Sequence, residues 1–248
     1  MTLRAALQNF FAVSTLSAPM IVFLVAAMLA TSASGQADGR RMLSVQEQPA
    51  WNAVGRLNLG DAFCTAALVA PDLVVTAAHC LYVPLTGLER SPHRVHFVAG
   101  YRLRRHEGHR TARTLKVHPD YDYSQTTATR AIGADLALVW LNAPLDDIAP
   151  LSLAPGIAEG DEVAILSYGR DRPEIPSIQS PCTTTARVGP IVALNCDITF
   201  GVSGAPVFRQ IDGEWRIVAV ISSMGSYRGE PHAFAVALDE ALTPLLSR

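Results

Sequence analysis

An all-β fold is what the chain predicts, on three observations. From Trp51 onward, short runs rich in Val, Ile, Thr and aromatic residues are punctuated by Gly, Pro, Asn and Asp. Long helical periodicity is absent from these runs, which argues for a sandwich or barrel rather than alternating strand and helix. The runs also fall into two groups of about six on either side of a connection at 149–160. A chain of 248 residues, 49 % of them apolar, can build a core as one large domain or two small ones.

The N-terminus differs from the rest. Arg4 precedes an apolar stretch that culminates at 18–30, and small residues follow from Thr31 to Gly35. A charged start, an apolar centre and a small-residue end predict a secretory signal peptide over 1–35. An uncleaved anchor is the alternative, because 10–30 approaches the length of a membrane span; Pro19 and the Ala/Ser/Gly-rich end favour cleavage. Polar residues 36–48, with Arg40 and Arg41 among them, read as a linker or short propeptide.

Strands are expected at 53–58, 62–69, 73–76, 94–99, 113–117 and 136–141, within an N-terminal unit spanning 49–150. A second set is expected at 162–168, 182–188, 191–196, 206–210, 215–222 and 233–237, within a unit spanning 151–248. The tail at 239–246 is the best helix candidate: Asp239 and Glu240 open it, apolar residues recur at helical spacing, and Pro244 shortens or bends it.

A net charge of −2 and 17 % charged residues give neither a disordered tail nor an electrostatic footprint for nucleic acid, so no nucleic-acid partner is expected. The four cysteines, Cys64, Cys80, Cys182 and Cys196, contain no Cys-x-x-Cys pattern and agree with export. From spacing alone their pairing stays open among three arrangements.

Two short strings carry the chemistry: Thr76-Ala77-Ala78-His79-Cys80 and Gly201-Val202-Ser203-Gly204-Ala205-Pro206. A serine hydroxyl is a poor nucleophile at neutral pH, so it needs an imidazole to take its proton and a carboxylate to orient that imidazole. Asp135 is the candidate acid, since it opens an apolar strand and would be costly to bury unless hydrogen-bonded. Gly201, two positions before Ser203, lets both amides face a developing oxyanion. His93, His96, His106, His109, His118 and His232 lack such context and read as surface or packing residues; no helical pair beside an acid suggests zinc.

These motifs, in the order His, Asp, Ser, resemble those of secreted bacterial trypsin-like serine peptidases of the chymotrypsin fold, nearest the glutamyl-endopeptidase branch. The resemblance implies two packed antiparallel six-stranded β-barrels with a short C-terminal helix. It implies disulfides Cys64–Cys80 and Cys182–Cys196, and a secreted or periplasmic endopeptidase that forms an acyl-enzyme. It also implies a protein or peptide substrate, no metal or organic cofactor, and no stable membrane association after signal cleavage. Ser222 would support the aspartate and line the substrate cleft, with Met224 in an altered pocket wall. Asp197 falls, by ungapped counting, where trypsin keeps its cation-selecting aspartate. Departures are Val202, where digestive relatives carry an aspartate, and Ile221, where glutamyl endopeptidases hold a histidine. The alternatives are a non-catalytic homologue used as a binding module, and an esterase elbow with Asp212 or Glu214 and His232. The latter lacks the parallel sheet such an elbow needs.

Overall fold

The computed structural model describes residues 39–125 and 129–246; the expected signal segment, 1–35, lies outside the described residues. Thirteen strands run in chain order as β1 Arg41–Met42, β2 Val54–Asn58, β3 Phe63–Ala70, β4 Leu73–Thr76, β5 His96–Ala99, β6 Gly108–Val117, β7 Ala137–Leu141, β8 Glu162–Gly169, β9 Arg172–Val188, β10 Ile191–Leu194, β11 Pro206–Ile211, β12 Glu214–Tyr227 and β13 Glu230–Ala237.

The first barrel is closed in the order β2-β3-β4-β7-β6-β5, because β2 pairs antiparallel with both β3 and β5. The second sheet runs β9-β10-β13-β12-β11-β8 and returns on itself through β9 and β8, with β1 added to the outer side of β9. This is the all-β, chymotrypsin-like fold of two packed barrels.

Alternation within single strands shows how the barrels meet. On β7, Ala137, Val139 and Leu141 fill the first barrel, while Leu138 points into a second apolar cluster shared with the other half. Likewise Val74 of β4 faces inward and Val75 faces the shared cluster. A strand with both faces buried reads as a continuous apolar run, which is why 136–141 lacks polar alternation. The seam joins Val54, Ala67 and Val75 of the first barrel to Leu166, Tyr168, Phe208 and Val220 of the second. A third cluster, including Val192, Val207, Val218 and Ala235, fills the second barrel.

Some elements differ in extent from their sequence signals. β9 begins at Arg172, ahead of the expected 182, because Pro173, Pro176 and Pro181 mask its first half; Pro is admitted in strands where no ladder N–H is needed. β12 runs on to Tyr227 and β6 starts at Gly108. The C-terminal helix is two short pieces, Leu238–Ala241 and Thr243–Leu246, with Pro244 in the first turn of the second, where its missing N–H costs nothing. Leu238, Ala241 and Leu245 dock this tail on the seam. A short helix, Thr129–Gly133, precedes β7 and was not signalled by the sequence.

Upstream, Arg41 and Met42 pair with Ile178 and Ser177 of β9, and Leu43 is buried in the seam. Arg40 pairs with Asp171 at 3.1 Å. Among the described residues no helix is long and apolar enough to cross a membrane.

Candidate active site

After β4, the chain enters a 3-10 turn, Ala78–Leu81, that carries His79. Its neighbour Cys80 is bonded to Cys64 on β3, which fixes the turn against the barrel wall. Cys182 and Cys196 form the second disulfide, so both expected pairs are present. Asp135, 3 % exposed, lies just ahead of β7, which pairs with β4, so strand pairing brings the acid under the imidazole.

Asp135 is fully engaged. His79 Nδ1–H donates to Oδ2 at 2.7 Å, the His79 backbone N–H donates to Oδ1 at 2.8 Å, and Ser222 Oγ–H donates to Oδ2 at 2.6 Å. Burial pushes the Asp135 carboxyl up, yet the adjacent imidazole and these hydrogen bonds outweigh it and hold the acid below its ordinary range. For His79, burial disfavours the imidazolium and the Asp135 charge favours it; the charge prevails, and the pKa is raised above 6.5.

Ser203 follows a turn at Thr199–Val202, closed by the Val202 N–H on the Thr199 carbonyl at 3.2 Å. Gly201 sits in that turn with φ +90°, the third position of a type II turn. A Cβ there would meet Phe63 Cε2 at 2.4 Å and the Tyr168 carbonyl at 2.8 Å, so the position admits only glycine. Among the described residues, neither the Gly201 nor the Ser203 N–H donates to a protein acceptor. Two amide donors are thus free beside the serine hydroxyl.

The first barrel braces this loop through Thr65 on β3. Its hydroxyl donates to the Gly201 carbonyl and accepts from the Tyr168 N–H, each at 2.9 Å, and its N–H donates to the Ser203 carbonyl at 2.8 Å. Thr76 Oγ1–H in turn donates to the Thr65 carbonyl at 2.9 Å. Sequence reasoning did not single out Thr65, because its partners are distant in the chain and only folding brings them near.

His79, Asp135, Ser203, Ser222 and Met224 line one cavity of about 370 Å3. Among the described residues, Ser203 Oγ makes no hydrogen bond to His79, whose Nε2 lies 3.8 Å from Cys80 Sγ. Asp197 is not brought to the cavity: it is exposed, while its neighbours Ile198, Thr199 and Phe200 supply the wall. Tyr121 and Tyr123, also unsignalled, form the opposite wall with Tyr82 stacked on Tyr123 at 4.8 Å. The buried Tyr121 hydroxyl has no hydrogen-bond partner among the described residues, and burial followed by the Asp135 charge pushes its pKa far up. A larger cavity, about 550 Å3, lies at Gln48, Asn52 and Arg102. Among the described residues it has no nucleophile and no paired acid and base, so the smaller one is the candidate site.

Twin antiparallel barrels with such a serine loop at their junction define a class, the chymotrypsin-fold serine peptidases. The trypsin family model matches residues 43–242, and the chain belongs to that family. Among solved structures it is similar to a Glu endopeptidase in complex with MPD, at 18 % identity and a TM-score of 0.70, covering 84 % of this chain and 94 % of that one. At that identity the likeness is one of fold. No curated protein sequence matches significantly.

Proposed function

We propose that the protein is a secreted serine endopeptidase with His79, Asp135 and Ser203 as its triad. Ser203 Oγ attacks a peptide carbonyl carbon while His79 takes the hydroxyl proton. The carbonyl oxygen becomes an oxyanion held by the Gly201 and Ser203 N–H groups. Collapse expels the amine, protonated by the imidazolium, and leaves an acyl-enzyme; water then repeats the sequence and frees the acid. Asp135 keeps the imidazole in the Nδ1–H tautomer and stabilises its charged form, with Ser222 holding the carboxylate.

The observation that carries this reading is the chain Ser222–Asp135–His79 ending in the same cavity as a serine whose flanking amides are free. Catalytic hydrogen bonds in a free enzyme are often long and tighten with substrate, which accommodates the unmade Ser203–His79 contact. Secretion is supported by the two disulfides and the N-terminal sequence pattern.

Ile198, Phe200 and Met224 make the cavity wall apolar, and among the described residues its only ionisable acid and base are Asp135 and His79, so an uncharged side chain suits the cleavage site. A fluorophosphonate probe is expected to label the protein, with labelling abolished by Ser203→Ala. The same unmade contact favours a second reading, a binding homologue without turnover. A folded wild type that neither takes the probe nor cleaves any member of a peptide library would establish that reading.

A further inference from the structure

Three histidines gather on the outer face of the first barrel, away from the cavity just described. β5 pairs with β6 so that Val98 opposes His109 and His96 opposes Thr111, which puts His96 and His109 diagonally across one outward surface. His96 Nδ1 and His109 Nε2 are 3.0 Å apart and their rings are stacked with centroids 5.2 Å apart. The His106 ring, at the β6 end of the connecting loop, is 6.0 Å from that of His109.

From these positions we infer a binding site for a divalent transition ion, Zn2+ by chemistry, held by His96 Nδ1 and His109 Nε2 with His106 as third ligand. A tetrahedral ion with Zn–N bonds of about 2.0–2.1 Å puts ligand nitrogens about 3.3 Å apart and ring centres about 5 Å apart. The pair is joined by a hydrogen bond in this structure; an ion would replace that bond with a few tenths of an ångström of opening, and the exposed His106 side chain would have to turn to supply the third nitrogen. Nitrogen ligands select Zn2+, Ni2+ or Cu2+ over Ca2+ and Mg2+.

One further feature fits. Asn58 of β2 lies opposite His96, and its buried Oδ1 has no partner among the described residues. It is placed to accept the remaining ring N–H of His96, the outer hydrogen bond that a metal-bound imidazole ordinarily makes.

The test is Zn2+ titration of the purified protein by calorimetry at neutral pH, with His109→Ala, His96→Ala, His93→Ala and His79→Ala beside the wild type. The expected result is one saturable site per chain, weakened at least as much as by loss of an outer-shell partner, about 10–100-fold, in His109→Ala and His96→Ala. His93→Ala and His79→Ala bind as the wild type does. Absence of saturable binding, binding unchanged in His109→Ala, or binding lost in His79→Ala would each overturn the proposal. The outcome is independent of whether the protein turns over peptides.

Discussion

Replacing Gly201 by alanine tests the serine loop most sharply, because two costs act there and a second glycine separates them. Gly213, in the turn between β11 and β12, also has positive φ, +81°, but a Cβ there would meet nothing within 4 Å. Gly213→Ala therefore carries backbone strain alone, about 1–2 kcal/mol. Gly201→Ala carries comparable strain plus overlap with the Phe63 ring and the Tyr168 carbonyl. Backbone cannot rotate away, so overpacking adds about 1–3 kcal/mol, for a total of about 2–5 kcal/mol. The loop has to shift to relieve this, which moves the Gly201 N–H off the oxyanion position at a cost of about 10²–10³-fold in kcat. Urea unfolding and peptide hydrolysis on the two variants read both quantities. Equal stabilities, or a Gly201→Ala kcat within about threefold of wild type, would refute the assignment of this amide as an oxyanion donor.

The proposed mechanism requires neutral His79, whose pKa is raised, so kcat/KM is expected to rise with pH along a limb shifted up from the ordinary imidazole range. Asp135→Asn should move that limb down and cut kcat by the magnitude known for the same change in another family member, about 10⁴-fold. In stability the pairing works with opposite signs: the His79 contribution is complete below 6.5 and fades as pH rises through its raised folded value, whereas the Asp135 contribution is present above 3.8 and fades as pH falls through its lowered one. Equilibrium unfolding across pH checks both limbs. Ser222→Ala removes a hydrogen bond to a buried carboxylate and is expected to lower kcat about 10–100-fold with KM little changed, as steady-state kinetics will show. Replacing Cys64 and Cys80 together by serine opens a loop with a separation of 16 residues. The expected loss is about 3 kcal/mol in urea unfolding, alongside reduced turnover because His79 adjoins the bridge. Asp197→Ser, exposed and outside the cavity, should leave cleavage preference in a peptide library unchanged.

Strand content and the motif residues were legible because their signals are local. Leu136 to Leu141 announces a buried strand by composition, and His79 and Ser203 stand within short specific strings. Asp135 was legible as a charge at the mouth of that strand, which only a hydrogen-bonding partner makes tolerable. What escaped is long-range. Thr65 acts through Gly201, 136 residues away, and nothing around it marks that role. The first half of β9 was hidden by its prolines, whose exclusion from strands depends on which neighbour needs the N–H. His96 and His109 are 13 residues apart, a spacing without meaning until β5 and β6 pair.

The threonine brace across the seam has a consequence for a chain in transit. Because the loop carrying Ser203 is held from the other half, through Thr65 and Thr76, neither half alone holds the proposed oxyanion donors in place. On the proposed function, a newly made polypeptide would gain activity only once both halves had closed on each other, so completion of folding would itself act as the safety catch.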